Sequence, residues 1–268
     1  MTEAEWLTCD NDEAMLAFLR NRGNLRKLRL FAVAACIRGW SLFIDERSGH
    51  AVKVAERFAD GAASDRDLFT ARADALAARR DVANAAPRSE FNWWGDAAAE
   101  TAFSCAAADA FPPVGHAAPQ HDYFTTAAGF MANALALVRV RQLEEETLLH
   151  ELPDDGTYDE ARQDMYEKAD RICEEVRRSA WSAGAALLRD IFGNPFRPVS
   201  FDAEWRTSTA VLLAKQMYES RNFDAMPILA DALEDAGCCN EHILNHCRDA
   251  NGVHVRGCWV IDLVLGKK

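Results

Sequence analysis

The stretch from residue 238 to residue 258 concentrates side chains that bind soft metals or act as nucleophiles. Four of the eight cysteines and three of the seven histidines of the chain lie within it. His242 and His246 are four residues apart, and so are His254 and Cys258. On a helix this spacing places both members of a pair on one face. The stretch is therefore where metal binding or thiol chemistry is to be expected.

Zinc is the ion that these ligand types would select, because it prefers about four cysteine or histidine ligands in tetrahedral geometry. The candidate ligands are Cys238, His246, Cys247, His254 and Cys258. Their spacing matches no standard zinc finger. In the competing interpretation the cysteines are small buried apolar residues, the histidines hydrogen-bond to neighbouring groups, and no cofactor is present.

Two further hypotheses use the same stretch. In one, Cys258 or Cys247 is a nucleophile that His246 or His254 activates. In the other, the helices predicted on either side of Gly237 form a helix–turn–helix. Residues 224–268 carry seven acidic and four basic side chains, and DNA binding needs a cationic surface, so a nucleic-acid partner is not expected.

Helix signals dominate the segments that must position this cluster. Apolar stripes predict helices over residues 12–22, 25–40, 50–60 and 158–192, and Ser64 with Asp67 forms a capping box before a helix over 68–86. The alanine-rich middle predicts helices over 93–111 and 122–152, separated by a proline-rich loop. The segment 193–198, Gly-Asn-Pro-Phe-Arg-Pro, is the strongest break in the chain.

After this break, polar residues at helix starts predict three more helices. Asp202 is expected to cap a helix over 203–220, Asp224 one over 225–236, and Asn240 one over 241–248. The apolar end, 253–265, is compatible with either a helix or a buried strand. We therefore predict an all-α fold. A multi-helix bundle over 1–192 is followed by a compact helical unit over 199–268, the C-terminal cap, and the two pack as one globular body.

Composition and charge restrict the partners. The chain of 268 residues has a net charge of −12 and is 49% hydrophobic. The hydrophobic fraction is typical of a globular protein. The negative charge disfavours binding to nucleic acid or to an anionic membrane. No signal peptide and no membrane-spanning run is apparent, so we expect a cytoplasmic protein with reduced cysteines.

Four blocks of the sequence resemble the signature blocks of an uncharacterised bacterial family that is present in many copies in some genomes. The blocks cover residues 1–7 (MTEAEWL), 187–198 (LLRDIFGNPFRP), 226–238 (MPILADALEDAGC) and 254–260 (HVRGCWV). The resemblance implies family membership and no particular activity or cofactor.

The function expected from the sequence is that of a non-enzymatic interaction or regulatory module with a protein partner. The family that these blocks resemble is present in many copies in some genomes. This favours proteins that recognise different partners over enzymes that catalyse one housekeeping reaction. The alternative is a metal-binding or thiol-dependent protein, including an enzyme, whose site lies among the cysteines and histidines of 238–258.

Overall fold

The computed structural model describes residues 1–19, 24–85 and 157–267, together with positions 129 and 135. The helices predicted for the alanine-rich middle lie outside these residues. Within them the fold is all-α, as predicted, with ten α-helices and no strand. In chain order the helices are α1 (Glu3–Thr8), α2 (Asp12–Leu19), α3 (Leu25–Arg38), α4 (Glu46–Ala59), α5 (Asp65–Ala85), α6 (Thr157–Phe192), α7 (Ser208–Ser220), α8 (Met226–Asp235), α9 (Glu241–Arg248) and α10 (Trp259–Leu265).

Local capping explains where several helices begin. The Asn240 side chain accepts hydrogen bonds from the backbone amides of His242 and Ile243 at the start of α9, and Ser64 and Asp67 form the predicted capping box at α5. Both predictions are confirmed. The end of the chain, left open between helix and strand, is helical in α10.

Two predicted helix starts were wrong. Asp202 caps a short 3-10 turn, Ala203–Trp205, and α7 begins only after Thr207, whose hydroxyl accepts from the Ala210 amide. At α8 no side chain caps the first turn, which is occupied by Pro227, a residue that needs no amide partner. Helix α1 was not predicted, although Thr2 and Glu5 form a full capping box there.

Two clusters of buried side chains form the interior of the described residues. The first joins α1–α5 to the end of α6 and contains Trp6, Phe31 and Leu188. The second fills the C-terminal cap and contains Met217, Leu229 and Val260. Helix α6 contacts α2, α3 and α10, so its end adjoins both clusters. The proposed division at 1–192 and 199–268 stays a prediction.

A buried polar network joins the two clusters. The guanidinium of Arg26 in α3 donates to Asp262 in α10 at 2.6 Å, to Asp60 after α4 at 3.0 Å, and to the Tyr218 hydroxyl in α7 at 2.9 Å. Lys267 adds a second cation, 3.0 Å from Asp60. These contacts fix the cap on the bundle, because a buried charge is tolerated only when its partners remain in place.

None of the helices in the part of the chain that the structure describes combines the length and the apolar character needed to cross a bilayer.

Candidate metal centre

Four side chains from three parts of the fold converge where the C-terminal cap meets the end of α6. They are Asp190 near the end of α6, His246 in α9, His254 in the loop that follows α9, and Cys258, the residue that precedes α10. One donor atom from each lies within 4.8 Å of all the others. Together these atoms form a donor set that could hold a metal ion.

The closest distances centre on Asp190 and His246. The Nε2 atom of His246 lies 3.2 Å from Oδ1 of Asp190 and 3.2 Å from Sγ of Cys258. The Nδ1 atom of His254 lies 2.9 Å from the same Oδ1. In a tetrahedral zinc site with bonds of about 2.0–2.3 Å, neighbouring ligand atoms are about 3.3–3.6 Å apart. These three separations lie slightly below that range, and the four donor atoms together span up to 4.8 Å, so small side-chain shifts would be needed to place them around one ion.

The loop that carries His254 is fixed by Asp190. Its second carboxylate oxygen, Oδ2, accepts a hydrogen bond from the Val255 amide at 2.9 Å, so one carboxylate holds the loop with one oxygen and faces the histidines with the other. The remaining ring nitrogen of His254, Nε2, is buried without a hydrogen-bond partner among the described residues. The imidazole is therefore oriented through its Nδ1 side.

A glycine turn brings Cys258 to the site. Gly257 has a φ of +93°, in the left-handed region, and a Cβ built on it would lie 2.8 Å from the Leu30 side chain. Only glycine meets both conditions without strain. The turn is followed by α10, in which the Asp262 amide donates to the Cys258 carbonyl at 2.9 Å. His254 and Cys258 are thus brought together by a turn, whereas their four-residue spacing had suggested that they share one face of a helix.

Burial separates this site from solvent on most sides. The side chains of Asp190 and His254 are 2% and 7% exposed, and Cys258 is fully buried. His246, at 20%, is the most exposed of the four. Four protein donors with little solvent access are typical of a structural metal site, whereas catalytic sites keep an open position.

The charge states of the two acidic ligands follow from this environment. Burial works against ionisation of Asp190, but hydrogen bonds with His246 and His254 outweigh it and hold the pKa of the carboxyl below its usual range. Burial, followed by the negative charge of Asp190, raises the pKa of the Cys258 thiol well above its usual value. At neutral pH and without a cation, these directions favour an ionised carboxyl and a protonated thiol.

The structure brings together three of the five residues proposed as ligands from the sequence: His246, His254 and Cys258. The other two, Cys238 and Cys247, are buried in the core of the cap and lie outside this group. Burial raises the pKa of Cys247 to about 12, with the neighbouring Arg248 guanidinium opposing the shift, as expected for a small core residue.

The fourth donor, Asp190, was not predicted from the sequence. A signal was present, because Asp190 lies between Leu188 and Ile191 on the face of α6 that faces the core. A carboxylate on a buried helix face requires a compensating partner. That partner is supplied by the histidines of the cap.

Helices α8 and α9 form the two-helix corner considered for DNA binding. The single arginine of α9, Arg248, contacts Glu234 at 2.6 Å and Asp231 at 3.5 Å. Its positive charge is therefore already balanced by α8, and the described residues at this corner form no cationic surface.

Comparisons with known proteins add no further assignment: no family model, curated protein or solved structure matches this chain. The family resemblance of the four sequence blocks stays a prediction.

Proposed function

We propose that this chain binds one zinc ion through Asp190, His246, His254 and Cys258, and that the ion fixes the C-terminal cap to the end of α6. The observation that carries the proposal is the position of His246 Nε2, 3.2 Å from both Asp190 Oδ1 and Cys258 Sγ. A neutral imidazole nitrogen can donate one proton to one acceptor. A cation between the three atoms satisfies all of them together.

The chemistry of the donors favours zinc among common ions. One thiolate and two imidazoles disfavour magnesium and calcium, which prefer oxygen ligands, and suit zinc. The ionised forms of Asp190 and Cys258 would balance the two charges of the ion. Such a neutral site avoids the cost of leaving a net charge in the interior.

A structural ion fits the arrangement better than a catalytic one. The four donors complete a tetrahedral shell, so no position is left for a water molecule or a substrate. They also connect α6 to α9, α10 and the loop between them. The ion would therefore stabilise the contact between two parts of the fold.

The geometry disfavours thiol catalysis by Cys258. A Cys–His–Asp arrangement needs a histidine that contacts the thiol with one ring nitrogen and the carboxylate with the other. His246 presents the same nitrogen to both groups. Cys258 is also fully buried, with a raised pKa, whereas reactive cysteines are accessible and have a lowered pKa.

The interaction or regulatory module expected from the sequence stays a prediction. A structural zinc ion is consistent with it, because such an ion stabilises a scaffold without providing a reaction.

Metal analysis of the full chain tests the proposal. Protein purified without chelators, or reconstituted with zinc and desalted, is expected to contain about one equivalent of zinc. An Asp190→Asn variant keeps the shape of the side chain, removes its charge, and is expected to lose most of the metal. Less than about a tenth of an equivalent in the reconstituted parent protein would contradict the proposal.

A further inference from the structure

A cleft of about 230 Å³ lies beside the candidate metal centre, and His246 lines it as well as contributing to the donor set. Its walls come from α1, the end of α6, the segment that follows α6, the length of α9, and the first residue of α10. The cleft therefore forms only when the N-terminal helix and the C-terminal cap are both in place.

The ionisable side chains that line this cleft are basic. Its ionisable lining consists of Arg189, Arg197, His242 and His246, and no acidic side chain lines it among the described residues. The protein as a whole carries a net charge of −12. A concave cationic site on an acidic protein favours binding of an anion, because the surrounding walls concentrate its field.

The guanidinium groups of the two arginines differ in how many of their N–H donors already have a partner in the protein. Arg189 donates to the backbone carbonyls of Trp6 and Cys9, so it anchors α1 and contributes its charge to the wall. Arg197 contacts the Glu3 carboxylate through Nε at 2.5 Å. A guanidinium has five donor hydrogens in a fork that suits a carboxylate or phosphate. Among the described residues the Nη groups of Arg197 contact no other carboxylate, so these donors remain for a second anion.

Aromatic side chains provide the remaining walls. Gly193, with a φ of +65°, lets the Trp259 indole pack against its backbone, since a Cβ there would lie 3.1 Å from the ring. The carbonyl of Gly193 accepts the Trp6 indole N–H at 3.0 Å. With Phe192, these rings form an apolar surface next to the cationic side. Apolar walls with a few oriented polar groups are characteristic of small-molecule sites.

We propose that this cleft binds a small organic anion, with its carboxylate or phosphate group at Arg197 and its apolar body against Trp259 and Phe192. The proposal uses the cleft residues alone and does not require the metal ion. It adds a small-molecule site to a chain for which the sequence predicted protein recognition or, as the alternative, metal binding or thiol chemistry.

Titration calorimetry of the full chain with four probes of similar size tests whether the cleft binds an organic anion. Benzoate and phenyl phosphate present the two anionic groups, while benzamide and benzyl alcohol are neutral counterparts. At least one anion is expected to bind about tenfold or more tightly than its neutral counterpart. The stronger of the two identifies the anionic group.

Three variants assign the effect to this cleft. Arg197→Gln is expected to abolish the preference for the anion, and Glu3→Gln to increase it, because Arg197 is then released from its ion pair. Arg178→Gln, on the exposed surface of α6 and paired with Glu174, serves as the matched control and should bind like the parent protein.

Equal binding of anionic and neutral probes, or an anion preference unchanged in both Arg197→Gln and Glu3→Gln, would overturn the proposal. The zinc content of each variant is measured in parallel. A protein with one equivalent of zinc and no anion preference overturns the cleft proposal alone, and anion binding by a protein that holds no zinc overturns the metal proposal alone.

Discussion

The Nδ1 atom of His254 lies 2.9 Å from Oδ1 of Asp190, across the boundary between the C-terminal cap and the long helix α6. The Val255 amide donates to the other oxygen of the same carboxylate. Asp190 thus orders the loop and positions its histidine at the same time. Together with His246 and Cys258, these two side chains form the candidate metal centre where the cap packs against α6.

Replacement of a proposed ligand should remove the metal, whereas replacement of a nearby exposed cysteine should not. We expect Cys258→Ser to lower the zinc content from about one equivalent to well below half, because a thiolate is lost from a four-ligand site. Cys239→Ser is the control, since Cys239 is exposed and lies outside the donor group. Equal zinc contents in the two variants, measured by plasma mass spectrometry, would contradict the assignment of Cys258.

Removal of the ion should destabilise the cap more than the bundle. A ligand present at about 100 times its Kd stabilises the folded state by about 2.7 kcal/mol. We therefore expect chelation to lower the melting temperature and to accelerate amide exchange in α9 and α10. The exchange of α5, which packs on α4 and carries none of the four donors, is the internal reference. Uniform acceleration in both regions would argue against a local clamp.

The Arg26 network should contribute strongly to stability. Arg26→Met leaves the buried Asp262 carboxylate without the guanidinium that contacts it at 2.6 Å, and loss of one partner of a buried pair costs about 3–5 kcal/mol. Arg47→Met removes a more exposed arginine that pairs with Asp45 and Asp81, and should cost less than about 1 kcal/mol. Urea unfolding of both variants gives the comparison, and similar losses would show that Arg26 is not part of a buried network.

Asp12 should make stability depend on pH. Burial, and then the neighbouring Glu13, raise the pKa of its carboxyl to about 7, while Arg38 opposes the shift. The folded state therefore retains a proton that the unfolded state loses near its ordinary pKa of 3.8. Stability from this group is full below about pH 4 and decreases as pH rises towards 7, by at most about 1.4 kcal/mol per pH unit.

The Asp12→Asn variant isolates this effect, since an amide does not titrate. The difference in unfolding free energy between parent and variant should shift in favour of Asn as pH rises from 4 to 7. A constant difference over this range would show that Asp12 has an ordinary pKa in the folded protein.

The sequence was sufficient for those parts of the fold that depend on local interactions. The Asn240 cap and the Ser64–Asp67 capping box involve neighbours in the chain, and both were predicted. The start of α7 was not predicted correctly, because Asp202 and Thr207 are both good N-cap residues. Only the structure shows that Asp202 caps a separate 3-10 turn and that α7 begins after Thr207.

The site required information that local patterns do not contain. His246, His254 and Cys258 were proposed because they are close in the sequence, and so were Cys238 and Cys247, which the fold directs into the core of the cap. Asp190 precedes His254 by 64 residues. Its role depends on how α6 packs against the cap, and no spacing rule relates the two.

X-ray absorption at the zinc edge of the reconstituted protein shows whether the four donors together bind one zinc ion. We predict a four-coordinate spectrum with one sulfur at about 2.3 Å and three nitrogen or oxygen neighbours at about 2.0–2.1 Å. A six-coordinate spectrum without a sulfur neighbour would contradict it, because the zinc would then be bound elsewhere on the protein.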